Sequence, residues 1–205
     1  MNYSEIRSEA RGLLRGQWGM MAVVWLIYFV LTYGAYGHSE GLGSIISLVI
    51  SGPFALGIST IILKLYRREN FHIEEMFNGF RDFARSLVAF LLIALYVFLW
   101  ALLFIIPGII AAISYSMTFF IMAEDPNIPA TDAMRKSKEM MLGHKSEYFM
   151  LMLSFIGWGI LSLISMGVGF LFLQSYMMMS AAIFYKKIQG LHQRVENVVT
   201  PQDQV

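Results

Sequence analysis

Six apolar runs alternate with polar segments along the chain, and they fall in three couples: 18–36 with 42–65, 87–106 with 108–123, and 148–166 with 169–185. A bilayer core about 30 Å thick is crossed by about 20 helical residues, so each run predicts a membrane-spanning helix. The fourth is slightly short. The second carries Gly52 and Pro53, and a bend is expected there because proline removes one backbone hydrogen bond and crowds the preceding turn. Residues 37–41, Pro107 with Gly108, and 167–169 place chain breakers between the partners of each couple, so each couple predicts a tight helical hairpin. His38 and Glu40 are the only ionisable residues in these outer turns, which leaves little surface there for a receptor or a reaction.

The polar segment before each couple has a period of its own. Ile6, Ala10, Leu13 and Leu14 recur at helical spacing among Arg7, Arg11 and Arg15. Met76, Phe77, Phe80, Phe83 and Ala84 do so among Arg81, Asp82 and Arg85, and Ala130, Ala133, Met134, Ser137, Met140 and Met141 do so among Arg135, Lys136, Lys138 and Glu139. Each predicts an amphipathic helix along the membrane surface, with Phe77, Phe80, Phe83, Met134, Met140 and Met141 as interfacial residues. Gly16, Gly79 and Gly143 close or punctuate these segments, 63 and 64 residues apart. The chain therefore reads as three copies of one unit, arranged about an axis along the membrane normal: interfacial helix, span, tight turn, span. Even spacing would also arise, without any duplication, in a six-span chain with short outer turns.

Charge orients the bundle. Of the 15 Lys and Arg residues, all lie before the first couple, between couples, or after the last, with Lys64 at the inner end of the second run. Basic residues beside spans are retained on the cytoplasmic side, which predicts both termini inside. With 57% hydrophobic and 14% charged residues and a mean hydropathy of +0.60, the chain is too apolar for an ordinary soluble domain. A net charge of +1, with acids interleaved among the bases, argues against nucleic acid as a partner and against strong attraction to anionic lipid. The sequence has no cysteine, so disulfides and thiolate chemistry are excluded. The first run is long enough to span and follows mixed-charge residues, so it reads as a retained helix rather than a cleaved signal.

Candidate chemistry is sparse. Ser47, Ser51, Ala55 and Ser59 recur every fourth residue on the second span, and Gly108, Ala112 and Ser116 do the same on the fourth. Small residues at this spacing let helices approach closely in lipid; a polar stripe lining a pathway is the alternative. No Asp, Glu, Lys, Arg or His falls in the central part of a run, which weighs against ion-coupled transport and intramembrane proteolysis. His72 with Glu74 and Glu75, or His144 with Glu147, supplies too few ligands for a hard metal site, and no phosphate loop or nucleophile elbow is present. No metal or cofactor is expected. The methionine clusters read as adaptable packing surface.

The chain also resembles an uncharacterised integral-membrane family of Gram-positive bacteria, a domain of unknown function, and is distantly similar to the membrane region of some glycerophosphodiester phosphodiesterases. The resemblance covers nearly the full length. It is carried by Phe77-Asn78-Gly79-Phe80, by Leu99-Trp100 through Pro107-Gly108, by Ser114-Tyr115-Ser116-Met117 and by Ala123-Glu124-Asp125-Pro126. Ser137, Met140, Met141, Gly143, Lys145, Phe149, Ser154-Phe155-Ile156-Gly157-Trp158 and Phe184-Tyr185 continue it. Where members have Pro-Tyr at the start of the last span, this chain has Ser175-Tyr176. The resemblance implies a multi-pass bacterial plasma-membrane protein and no catalytic residues.

Together these expectations describe an all-α bundle of six transmembrane helices in three hairpins, with residues 1–188 as one membrane domain and 189–205 as a polar cytoplasmic tail. The expected role is a non-catalytic module acting on lipids or partner proteins in the cell envelope, its partners being the bilayer and a membrane protein or a second copy. A channel or carrier for an apolar or lipid-like solute is the alternative. An enzyme using Glu124, Asp125, His144 and Glu147 is the third class and demands that these groups meet.

Overall fold

The computed structural model describes residues 2–33, 40–165 and 167–199, without the side chains at 33, 40–42 and 193–199. The described chain is helical throughout, with no strand among the described residues. Helix α1 spans Tyr3–Leu14 and starts at Asn2, whose side chain accepts the Ser4 N–H at 3.1 Å and so satisfies an orphan donor. Its buried face is Ile6, Ala10 and Leu14. Gly16, at φ +86°, turns the chain through a left-handed conformation that costs glycine little. Helix α2, Trp18–Tyr33, then leaves at 92° to α1. A right angle is what an interfacial helix feeding a span requires.

Helix α3, Glu40–Tyr66, runs without a break through Pro53. A 3₁₀ helix, Ile73–Phe80, precedes α4, Phe83–Leu103. Helices α5, Ile105–Tyr115, and α6, Thr118–Glu124, return from it. The last unit comprises α7, Ala130–Met140, α8, Lys145–Leu153, α9, Ile156–Ile164, and α10, Val168–Val199. Five stretches are long and apolar enough to cross a membrane: Gly43–Tyr66, Phe83–Leu103, Ile105–Glu124, Lys145–Ile164 and Val168–His192. The bent pair α1–α2 makes a sixth if the two are counted as one span. The architecture is an all-α polytopic helix bundle.

Several boundaries differ from the expected ones. The second hairpin turns at Phe104, in extended conformation, and not at Pro107 and Gly108. Pro107 falls in the first turn of α5, where its missing N–H would have had no intrahelical partner. Gly108 is packing: a Cβ there would stand 2.7 Å from the Ala101 Cβ across the hairpin. The amphipathic segment before α4 is a 3₁₀ helix in place of an α-helix. Residues 189–199, the start of the polar tail, continue α10 as helix, and Gln189 is tied to Glu124. The outer end of the first span at 34–36, His38 in the first turn, Met166 and the tail at 200–205 lie outside the described residues.

The repeat has a structural counterpart. Each amphipathic segment packs across the second helix of the unit before it. The 3₁₀ helix lies against α3 so closely that a Cβ on Gly57 would overlap the Met76 backbone, and one on Gly79 would overlap the Pro53 carbonyl. Helix α7 lies against the α5–α6 junction, where the Ser137 hydroxyl donates to the Ser114 carbonyl at 2.9 Å and accepts the Met117 N–H at 3.2 Å. Helix α1 closes the ring against α10: the Tyr176 hydroxyl donates to the Arg7 carbonyl at 3.2 Å. The buried residues Ile6, Ala10 and Leu14 of α1 match Ala133, Ser137 and Met141, which are equally buried, each 127 positions on. Between these segments Phe54, Ile58, Ile61, Phe120, Ile121, Met179, Ile183 and Phe184 form the core.

Candidate functional site

The residues of the two small-residue stripes are placed differently from one another. Ser51 donates to the Ser47 carbonyl at 2.6 Å, and Ser47 donates to Ser44 at 3.0 Å; both hydroxyls turn back on α3. Ser59 is buried, Ala55 half-buried and Ser116 half-buried, whereas Ala112 is exposed. The close helix approach falls one residue off the predicted stripe, at Gly52, where a Cβ would stand 2.5 Å from the Ser86 carbonyl oxygen. Of the predicted interfacial residues, Phe77 and Phe83 are exposed, while Phe80 packs against Phe54 at 5.1 Å between ring centroids. Met134, Met140 and Met141 are buried; they form the face that α7 turns toward the protein.

The acidic and imidazole groups weighed as an active site separate into bonded sets. His144 Nδ1 lies 2.9 Å from Glu147. The Asp125 carboxylate accepts the Asn127 N–H at 3.0 Å. Glu124, at the end of α6, gathers the inner ends of all three hairpins: it accepts from Arg67 at 3.0 Å, from the Tyr185 hydroxyl at 2.8 Å, from Gln189 at 2.9 Å, and from Lys186. Its side chain is 15% exposed, and two cations with two neutral donors satisfy it. This is a structural clasp, since removing one partner of a near-buried ion pair leaves the others uncompensated. Among the described residues no group of three or more metal-ligating side chains occurs.

The feature with the geometry of a binding site is a lateral cleft of about 350 Å³ between α9, α10 and the corner of α1 with α2. Its walls are Trp158, Leu161, Phe172 and Leu173, with Trp18 and Tyr176 toward α1. Trp18 stands 6.2 Å from Tyr176, and Trp158 6.3 Å from the same ring, so three aromatic side chains frame one end. Arg11 lines that end. From Gly169 to Tyr176 the cleft follows about 10 Å of α10, at about 1.5 Å per residue. Its volume sits at the lower end of ligand sites, about 300–1,000 Å³.

The electrostatics of α1 are two-sided. Glu5 and Glu9 reach Lys187 at 4.0 and 3.5 Å, and Arg7 donates to the Ser154 carbonyl at 3.3 Å. Arg11 has no ion-pair partner among the described residues. A cation without an ion-pair partner among the described residues thus lines an otherwise apolar cleft. The sequence pattern placed Arg11 on a polar face but could not reveal the cleft, because its other wall comes from α9 and α10 at the far end of the chain.

A family model described as "Protein of unknown function (DUF975)" matches residues 1–114 and 102–192. No curated protein and no solved structure matches the chain.

Proposed function

We propose, starting from the fact that the chain belongs to the DUF975 family of proteins of unknown function, that it is a non-catalytic membrane module that holds an anionic lipid in the cleft at Arg11. The single observation that carries this reading is the unpaired guanidinium at one end of a 350 Å³ apolar cleft. An acyl chain is the partner that matches walls of Trp158, Leu161, Phe172 and Leu173. A phosphate is the partner that matches Arg11, because the guanidinium fork takes two phosphate oxygens at once. Trp18 and Trp158 suit the boundary between them, where amphipathic rings are favoured. The chain's net charge of +1 speaks against attraction spread over the surface, but not against one placed cation.

In this reading the protein sits in a bacterial plasma membrane with both termini in the cytoplasm, as the distribution of Lys and Arg supports. The carrier alternative draws less support, since the Ser47 and Ser51 hydroxyls bond to carbonyls of their own helix. The test is lipid retention by the purified protein in mixed phosphatidylglycerol and phosphatidylcholine micelles. Arg11→Ala is expected to weaken phosphatidylglycerol binding by about 1 kcal/mol, or about fivefold, with phosphatidylcholine unchanged. Equal retention of both lipids by wild type and variant alike would overturn the proposal.

A further inference from the structure

We infer that the chain carries a second anionic-lipid site, between the α4–α5 hairpin and the corner of α7 with α8. It extends the reading of the Arg11 cleft to another flank but stands on its own residues. The cleft there holds about 260 Å³ and is lined by Trp100, Pro107, Ile110 and Tyr115 together with Lys138 and Lys145.

Both clefts have one architecture. Lys138 and Lys145 follow Arg11 and Trp18 by 127 positions, the same interval that superposes the buried faces of α7 and α1. On the opposite wall, Gly108 and Tyr115 of α5 precede Gly169 and Tyr176 of α10 by 61 positions in both cases. Each glycine lets the two helices of its hairpin close up, Gly108 against Ala101 and Gly169 against Ser162. In each case the hairpin of one unit and the helical corner of the next form the two walls.

The second cleft is the more strongly basic. On α7, Arg135 is neutralised by Asp132 at 3.2 Å and Glu139 at 3.6 Å. Lys138 and Lys145 have no such partner among the described residues, and no carboxylate lines the cleft. The Tyr115 hydroxyl also has no hydrogen-bond partner among the described residues, which leaves a donor beside the two ammonium groups. Two cations and a hydroxyl lining one cleft with Trp, Pro and Ile fit a phosphate ester carrying an acyl chain. A soluble anion would leave the apolar wall unused.

At the third junction of the ring, between α2–α3 and the 3₁₀ helix with α4, backbones meet directly at Gly52, Gly57 and Gly79, which leaves no room for an acyl chain at those contacts. Two lipid sites follow, and not three.

Native mass spectrometry of the full chain in detergent with added phosphatidylglycerol counts them directly. Wild type is expected to keep two lipids through conditions that strip the rest. Lys138→Gln with Lys145→Gln keeps one, the lost lipid binding about 25-fold more weakly. Ala111→Trp, which fills the cleft and leaves the charge alone, is expected to lose the same lipid. Arg11→Ala removes the other one. Inorganic phosphate at millimolar concentration is expected to displace neither. Two lipids retained by both the double-lysine variant and Ala111→Trp would overturn this inference and leave the Arg11 reading standing. An Arg11→Ala protein that keeps both while the lysine variant loses one would do the reverse. Displacement by free phosphate would show an anion site with no lipid role, and that too would overturn it.

Discussion

Gly57 and Gly79 stand where α3 and the 3₁₀ helix meet backbone to backbone, and neither position has room for a side chain. Gly79→Ala is expected to cost about 1–3 kcal/mol, the usual penalty of forcing an extra carbon into a packed contact. Gly19→Ala, where nothing lies within 4 Å, is its control and should be neutral or slightly stabilising, since alanine is the better helix former. Thermal unfolding in detergent reads both; equal melting points would contradict the contact. At this scale the sequence was only partly legible. Helical spacing identified Met134, Met140 and Met141 as one face of α7 but not which side of that face is protein. The four donors to Glu124 were invisible, because Arg67, Tyr185, Lys186 and Gln189 come from 57 to 65 positions away along the chain.

Ser137 joins two elements with one hydroxyl, donating to Ser114 and accepting from Met117. It holds α7 at the place where α5 ends and α6 begins. Ser137→Val is expected to cost about 2 kcal/mol, because it strands a buried N–H and a carbonyl that have no water to turn to. Loss of the α7–α5 contact would also expose Lys138 and Lys145 differently. The variant should therefore melt lower and let protease into the 125–143 region sooner; unaltered cleavage would show that α7 is held by its apolar face alone. Element order, hairpin pairing and the amphipathic segments were all readable from periodicity. The breaks at Ser116–Met117 and Ser154–Phe155 were not, since no proline or charge marks them. Nor was the 3₁₀ form of the middle segment, which lies backbone to backbone against α3.

The whole molecule is a ring of three similar units in which each amphipathic segment braces the unit before it. Closure brings the first helix of the chain onto the last, and it is this closure that builds the Arg11 cleft. Local sequence carries the charge and the aromatic residues but says nothing of which distant helix will face them. The three junctions have also diverged: in one the backbones meet at glycines, and the other two hold clefts lined by cations with no ion-pair partner among the described residues.

Photolabelling tests most directly the claim that lipid occupies those two clefts. Phosphatidylglycerol bearing a diazirine on its acyl chain would be bound to the wild-type protein, irradiated, and the labelled peptides sequenced. Labels are expected on Trp158, Leu161, Phe172 and Leu173, which line the Arg11 cleft, and on Trp100, Pro107, Ile110 and Ala111, which line the Lys138 cleft, with weaker and even labelling of α2 beyond Trp18. A uniform distribution over all exposed apolar residues, Val30 and Ile45 included, would contradict it.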